Sequence, residues 1–416
     1  MKKTSMRTRP PESRVGPWIF LLKKLIFLSA FFLLPAVASL GCSDDDGGGE
    51  AQVCGDGVVG EQEACDPEAL IADTCATQGF TGGELSCRED CTWDFTSCWT
   101  CGDGFCMTHL GETIQECPAD CGWVSISAGT DYTCAIKGDQ LIFCWGDNWA
   151  GQLGSGTTEE ALSPQQVSAI NDAIGISAGG DHACAMSEDG TVRCWGDNWA
   201  GQLGDGTVDD HLTPISADIT GAFLVAAGQS HTCGALPGGD VLCWGVNDQG
   251  QLGLGSTTSQ NLPTSLSGVS GAISLSGGQW HTCAATTDGS VYCWGANSYG
   301  QLGDGTTNNQ SSPVETTSLS DVVQVETGNW HTCARTSGGE AWCWGANNWG
   351  QLGDGGGEDS SNPVPVAEIS GVSRISSGGE HTCAITGSGN GFCWGHNNYG
   401  QLGADFTGDA SQPKPI

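Results

Sequence analysis

From residue 134 onward, twelve cysteines recur in pairs with nine residues between the partners. The pairs are Cys134 with Cys144, Cys184 with Cys194, Cys233 with Cys243, Cys283 with Cys293, Cys333 with Cys343, and Cys383 with Cys393. In five of these six units a histidine stands two residues before the first cysteine, at His182, His231, His281, His331 and His381. Thiol and imidazole at this spacing raise two chemistries, a metal site and a disulfide. Structural zinc takes four ligands. Each unit offers three, and the first has Tyr132 in place of the histidine, so the metal reading is set aside. The disulfide reading fits better. Equal arms about a short turn containing a pair such as Asp288-Gly289 place the two cysteines opposite each other on adjacent antiparallel strands. Each short loop so closed contributes roughly 2–3 kcal/mol by restricting the unfolded chain.

Catalytic sets are harder to find. A carboxylate clamp of the sialidase kind needs three converging arginines, but Arg193, Arg335 and Arg374 occupy three different positions of the unit. Ser187, Asp189 and Gly190 only loosely resemble the Asp-box of such enzymes. No nucleophile–His–acid set and no phosphate loop stands out, so the chain is expected not to be an enzyme and to carry no cofactor. The five histidines are equivalent by repeat, which makes a recurring structural hydrogen bond the expected role.

The positions that vary between units are more informative about binding. One or two residues past a recurring Asn stand Trp149, Trp199, Gln249, Tyr299, Trp349 and Tyr399, and Trp280 and Trp330 precede two of the histidines. Aromatics in Gly-rich loops suggest a loop face for a protein or a glycan. The competing expectation is that they pack on neighbouring units.

These residues are positioned by a repeat. Trp145, Trp195, Trp244, Trp294, Trp344 and Trp394 follow one another at intervals of 50, 49, 50, 50 and 50 residues. Each sits in Cys-Trp-Gly and is followed by Asn and then Gly-Gln-Leu-Gly. A period near fifty signals a repeat architecture. One unit reads as four short strands: Ile273–Gly278, His281–Thr286, Ser290–Gly295 and a Pro-containing edge strand, Ser312–Glu315. The fold class is therefore all-β, a six-bladed β-propeller (seven blades being the alternative) over residues 122–416. Because the chain ends just past an edge-strand signal, Pro413–Ile416 is expected to complete the blade begun at Trp123 and pin the ring shut.

The pattern H-T-C-A, D-G-x-V-x-C-W-G, N-x-x-G-Q-L-G-D-G-T resembles the regulator of chromosome condensation repeat, in the cysteine-bearing form of bacterial exported proteins. The resemblance implies a β-propeller used as an interaction platform. The family's founding member exchanges guanine nucleotide on a small GTPase and binds chromatin, and another member type is a secreted inhibitor of β-lactamases.

The N-terminal part speaks to address. A basic segment precedes the mostly apolar run Leu25–Leu40, which at about sixteen residues is short for a membrane span. Ala38-Ser39-Leu40-Gly41-Cys42 resembles a bacterial lipoprotein signal, with Ser39 where that family usually has Leu. The resemblance implies cleavage after residue 41, lipidation of Cys42 and a membrane-anchored, cell-envelope address, in the outer membrane or at the cell surface. An acidic, Gly-rich tether then runs over 42–53, and ten cysteines crowd residues 54–121. That region resembles short Cys-rich repeats of bacterial surface proteins, through Cys54-Gly55-Asp56-Gly57 and Cys101-Gly102-Asp103-Gly104. It has too few large apolar residues for a core, so disulfides are expected to hold it as a small domain, with Ca²⁺ as a candidate ligand of its acids.

Charge narrows the partners. Past Cys42 only six basic residues stand against 47 acids, a net charge near −41. Such a surface repels phosphate backbones and disfavours nucleic acid. A monomer with an unidentified protein or glycan partner is expected.

Overall fold

The computed structural model describes residues 122–403 and 406–416, together with Cys75, Leu85 and four two-residue strands between 82 and 99. Cys42, the tether and any calcium ligands of the Cys-rich region lie outside the described residues.

In the N-terminal part, β1 (Gly82–Gly83) pairs with β4 (Cys98–Trp99) and β2 (Ser86–Cys87) pairs with β3 (Trp93–Asp94), both antiparallel. One hairpin is thus nested within another pairing. Cys75 is buried and disulfide-bonded.

The remainder is six four-stranded antiparallel sheets in tandem, with no helix among the described residues. Blade 1 comprises β5 (Trp123–Ala128), β6 (Tyr132–Lys137), β7 (Ile142–Gly146) and β8 (Ala161–Gln166). Blades 2 to 6 repeat this order over 173–216, 224–265, 272–315, 322–365 and 372–415. In blade 4 the strands run Ala272–Gly277, His281–Thr286, Val291–Gly295 and Gln310–Glu315. The expected unit therefore holds to within two residues at its ends.

Each cysteine pair faces itself across the central hairpin of its blade. Cys134 stands opposite Cys144, Cys184 opposite Cys194 and Cys233 opposite Cys243. Cys283 likewise stands opposite Cys293, Cys333 opposite Cys343 and Cys383 opposite Cys393. All six pairs are disulfides, with Cα atoms 4.1 Å apart. The pairing expected from equal arms about the turn is the pairing found. Past Cys144 and Cys293 the register with the outer strand shifts at the Trp-Gly step, and the same shift follows Cys194, Cys243, Cys343 and Cys393. Gly146 adopts φ 113°, and a Cβ there would lie 2.5 Å from the carbonyl oxygen of Asp131. Only glycine fits.

The tryptophan reaches out of its own blade. The indole of Trp195 lies against Gly154 of the previous blade, where a Cβ would come within 2.9 Å of Nε1. The apolar clusters accordingly straddle junctions, with Trp195 packed among Cys134, Ile142 and Leu153 of blade 1, and Trp294 among residues of blade 3. Invariant Trp and Gly are two halves of one interblade contact.

One expectation is corrected. The C-terminal strand, Ala410–Pro415, pairs with Gly391–Gly395 inside blade 6, and blade 1 takes all four strands from 123–166. The first unit already owns an outer strand and the last unit an inner one, so among the described residues every propeller strand is paired within its own unit.

Candidate functional site

The loops after the third strand of each blade are held by their invariant side chains. In blade 4, Asn297 Oδ1 accepts the backbone N–H of Leu302 at 3.0 Å, and its amide donates to Thr306 O at 3.1 Å. Gln301 Oε1 accepts the N–H of Tyr299 at 3.0 Å. The turn is fixed before any partner arrives, which lowers the entropy lost on binding.

The variable aromatics stand on these turns at two different places. Trp149 and Trp199 directly follow the Asn, whereas Tyr299, Trp349 and Tyr399 come one residue later, at the position whose N–H the Gln side chain holds. All five remain exposed, from 36% at Trp349 to 74% at Tyr399, while Trp280 and Trp330 are half-buried. Several also touch the next blade. Trp149 Nε1 donates to Asp181 at 3.2 Å, and Tyr299 meets Trp330 edge-on at 5.5 Å. Trp349 lies 4.6 Å from the ring of His396, which has Tyr399 edge-on at 6.2 Å and Glu380 at 3.4 Å from its Nδ1. Trp149, Tyr299 and Trp349 therefore pack across a junction and still keep part of their surface in solvent.

The carboxylates among them were not singled out from the sequence. The residue before each histidine position is Asp131, Asp181, Ser230, Trp280, Trp330 or Glu380, and the residue before each recurring Asn includes Asp147, Asp197 and His396. The same unit-by-unit comparison that found the aromatics marks these positions as variable. Burial, with Asp210 and Asp181 nearby, pushes Asp197 up to about 6. Glu380 is likewise raised, first by burial, against the lowering effect of His396 and a hydrogen bond from Trp349.

The histidines do not reach this face. His182 Nε2 lies 2.8 Å from Thr232 Oγ1 of the next blade, and that hydroxyl donates to the carbonyl of Gln202 at 2.8 Å. Trp244 Nε1 donates to the same carbonyl at 2.9 Å. Since the hydroxyl proton is spent on the carbonyl, the imidazole must be the donor, which fixes its neutral Nε2–H tautomer. The same relay joins His231, His281 and His331 to Thr282, Thr332 and Thr382. Burial lowers the pKa of His182, His281 and His331 to about 3 and of His231 and His381 to about 4. At the first junction Tyr132 replaces the histidine and donates to the His182 carbonyl, with Ala183 where the other blades carry Thr. Arg193, Arg335 and Arg374 sit on three different strands, of blades 2, 5 and 6. Among the described residues no cluster of His, Cys, Asp and Glu could hold a metal ion.

The sequence profile of the RCC1-like domain matches residues 97–416. The chain belongs to the RCC1-like domain family. Among solved structures, human WBSCR16 superposes with a TM-score of 0.63 at 26% identity, covering 71% of this chain and 83% of that one. Yeast RCC1 (Prp20) bound to Kap60 matches with a TM-score of 0.63 at 20% identity, covering 71% and 74%. Prp20p of Saccharomyces cerevisiae, described with its binding to Gsp1p and histones, matches with a TM-score of 0.64 at 20% identity, covering 71% and 76%. The yeast structures show the shared fold. No curated protein matches the chain. An RCC1-like propeller is a scaffold of the protein-interaction type, and in this one the loop positions that vary between blades include exposed aromatic side chains and several carboxylates.

Proposed function

We propose that this RCC1-like protein is a lipid-anchored cell-envelope protein whose propeller is a non-catalytic docking platform for a protein partner. The observation that carries the reading is the set of exposed rings on the loops, of which Trp149, Tyr299 and Trp349 are braced by a carboxylate or ring of the next blade. Aromatic anchors held in one orientation are what interface hot spots are made of. The adjacent acids, Asp181, Asp197 and Glu380, on a chain with 47 acids past Cys42, favour a partner with basic side chains through electrostatic complementarity. Neither a nucleophile nor a cofactor enters this function. The yeast relatives are described with protein partners, which supports the same class of use here.

A photo-crosslinking residue placed at Tyr399 or Trp199 on intact cells tests the assignment. The same residue at Ser312, exposed on an outer strand, is the control. One protein captured from the rim positions and lost with Trp349→Ala is the expected outcome. Equal capture from both regions, or glycan-array binding that Trp349→Ala abolishes, refutes it. For the anchor, Cys42→Ala should move the protein from the membrane pellet to the soluble fraction. Unchanged sedimentation would overturn lipidation.

A further inference from the structure

The invariant Gln of each loop has its side-chain oxygen occupied by the backbone N–H two residues earlier, which leaves its amide nitrogen to find another partner. In blade 2 the residue before the recurring Asn supplies one: Gln202 Nε2 donates to Asp197 Oδ2 at 3.0 Å. In blades 1, 3 and 4 the amide nitrogen of Gln152, Gln251 or Gln301 is buried without a partner. Blade 6 meets the same need with a histidine. Gln401 Oε1 accepts the N–H of Tyr399 at 2.9 Å, and Gln401 Nε2 lies 3.2 Å from His396 Nδ1. The fixed oxygen makes Gln401 the donor, so Nδ1 of the neutral ring accepts and the proton sits on Nε2.

A second group competes for the same nitrogen. The His396 backbone N–H donates to the Glu380 carbonyl at 2.9 Å, which holds the two residues side by side, and Glu380 Oε2 lies 3.4 Å from Nδ1. A carboxylate there calls for a proton on Nδ1, whereas Gln401 calls for a lone pair. One nitrogen cannot serve both, and adding a proton decides between them. The ring is 6% exposed and its Nε2 is buried without a partner, so Nδ1 is the atom with partners to choose between. Around the ring stand Glu380, the buried His381 beside it, and Asp409, which raises Glu380 further. From blade 5 comes the Trp349 ring.

We infer that His396 is a proton-operated switch between Trp349 and Tyr399. Neutral, it anchors the Tyr399 loop through Gln401 and leaves the Glu380 carboxylate for a basic side chain of the partner. Protonated, it releases Gln401, pairs with Glu380 and lies as a cation against the Trp349 ring, 4.6 Å away. Acid thereby withdraws a counter-charge from beside two exposed rings, and binding of a basic partner weakens as the pH falls. That consequence for binding rests on the docking function proposed above; the switch itself does not. The five histidines of the interblade relay stay out of it. Burial holds them at about 3 to 4, so they remain neutral at the pH where an imidazole such as His396 changes charge.

Imidazole nitrogen shifts in NMR spectra of the full chain read the ring directly, with His396→Gln identifying its signals. The Nε2–H tautomer is expected at about pH 8 and the doubly protonated ring by about pH 5.5. Glu380 favours the charged ring and Gln401 the neutral one. Glu380→Gln should therefore lower the pH of half-protonation and Gln401→Ala should raise it, each by roughly one pH unit. An Nδ1–H tautomer at the higher pH, a ring still neutral at the lower, or a midpoint that Glu380→Gln leaves unmoved overturns the switch. The Glu380→Gln result decides alone if Gln401→Ala unfolds its loop. Capture by the photo-crosslinking residue at Tyr399 reads the consequence. Over the same pH range wild type should lose about two- to five-fold more capture than His396→Gln, the worth of one partly exposed ion pair. Asp197, at about 6, contributes equally to both. Equal losses overturn the link to binding. No capture at either pH refutes the docking function instead, and the ring titration still decides the switch.

Discussion

Thr332→Val removes one hydroxyl from the relay between blades 4 and 5 and keeps its shape. In the native protein Thr332 Oγ1 lies 2.9 Å from His281 Nε2 and 2.8 Å from the Gln301 carbonyl, to which Trp344 Nε1 also donates at 2.9 Å. With valine, the His281 Nε2–H is left buried and unpaired, a cost of about 1–3 kcal/mol. The tautomer offers no escape, because Nδ1 of His281 is also buried without a partner. Loss of the hydroxyl-to-carbonyl bond adds about 0.5–1.5 kcal/mol, tempered because Trp344 still holds that oxygen. The extra methyl returns up to about 0.8 kcal/mol. The net is a loss of about 2 kcal/mol, or a fall in Tm of roughly 3 °C for a domain of this size. Calorimetry on wild type, Thr332→Val and Thr332→Ser measures it, with serine expected to retain the relay. Valine matching wild type, or serine falling as far as valine, refutes the reasoning.

The depressed histidines give a pH dependence of known sign. Their folded pKa values, about 3 to 4, lie below the ordinary 6.5, so below that pH the unfolded chain takes up protons first. Their share of stability is complete above about pH 6.5 and falls as the pH drops toward 4. His281→Gln should flatten the slope of Tm against pH in that window, and an unaltered slope would count against burial as the cause. Glu326 acts in the opposite sense. Fully buried on the inner strand of blade 5, it accepts from Gln324 at 3.1 Å, and burial raises its pKa well above the ordinary value. Held uncharged, it favours the fold at low pH and loses that contribution as the pH rises above the unfolded carboxyl's range. Glu326→Gln should therefore raise the denaturation midpoint at pH 8 and leave it little changed at pH 4. A uniform fall at both pH values would show that the carboxyl is needed for packing rather than tolerated.

Much of the blade could be read from the chain because six copies separate requirement from accident. The cysteine pairs are opposed because their arms about the turn are equal, and the strands of blade 4 end within two residues of their expected limits. The histidines were read as structural, but their partner was not legible. Thr332 lies 51 residues beyond His281, in another unit, and only the stacking of blades brings the two together. The carboxylates of the rim were missed for a related reason. Asp181 and Glu380 look like scattered surface charges until the turn of the previous blade lays Trp149 and Trp349 against them. The expected strand exchange failed on phase rather than period. A fifty-residue repeat does not say where a blade begins, and here the first unit opens on an inner strand and the last closes on an outer one.

That phase decides how the ring is held. A propeller closed by an exchanged strand is fastened by a backbone ladder, which is indifferent to side chains. With every described blade built from contiguous chain, neighbouring blades are joined by side-chain pairs, His to Thr, indole to glycine and serine to amide, together with single backbone bonds such as Gly180 N–H to the Gly228 carbonyl. The pairing of Tyr132 with Ala183 shows that such a fastener can be re-cut at one junction, provided both halves change together. A single substitution on either half, Ala183→Thr or Tyr132→His, should therefore harm the first junction, while the double change rebuilds the relay already present at the next four. Restored Tm in the double variant alone would show that the junctions are encoded as pairs. Equal loss in all three would show that blade 1 is held by something other than this contact.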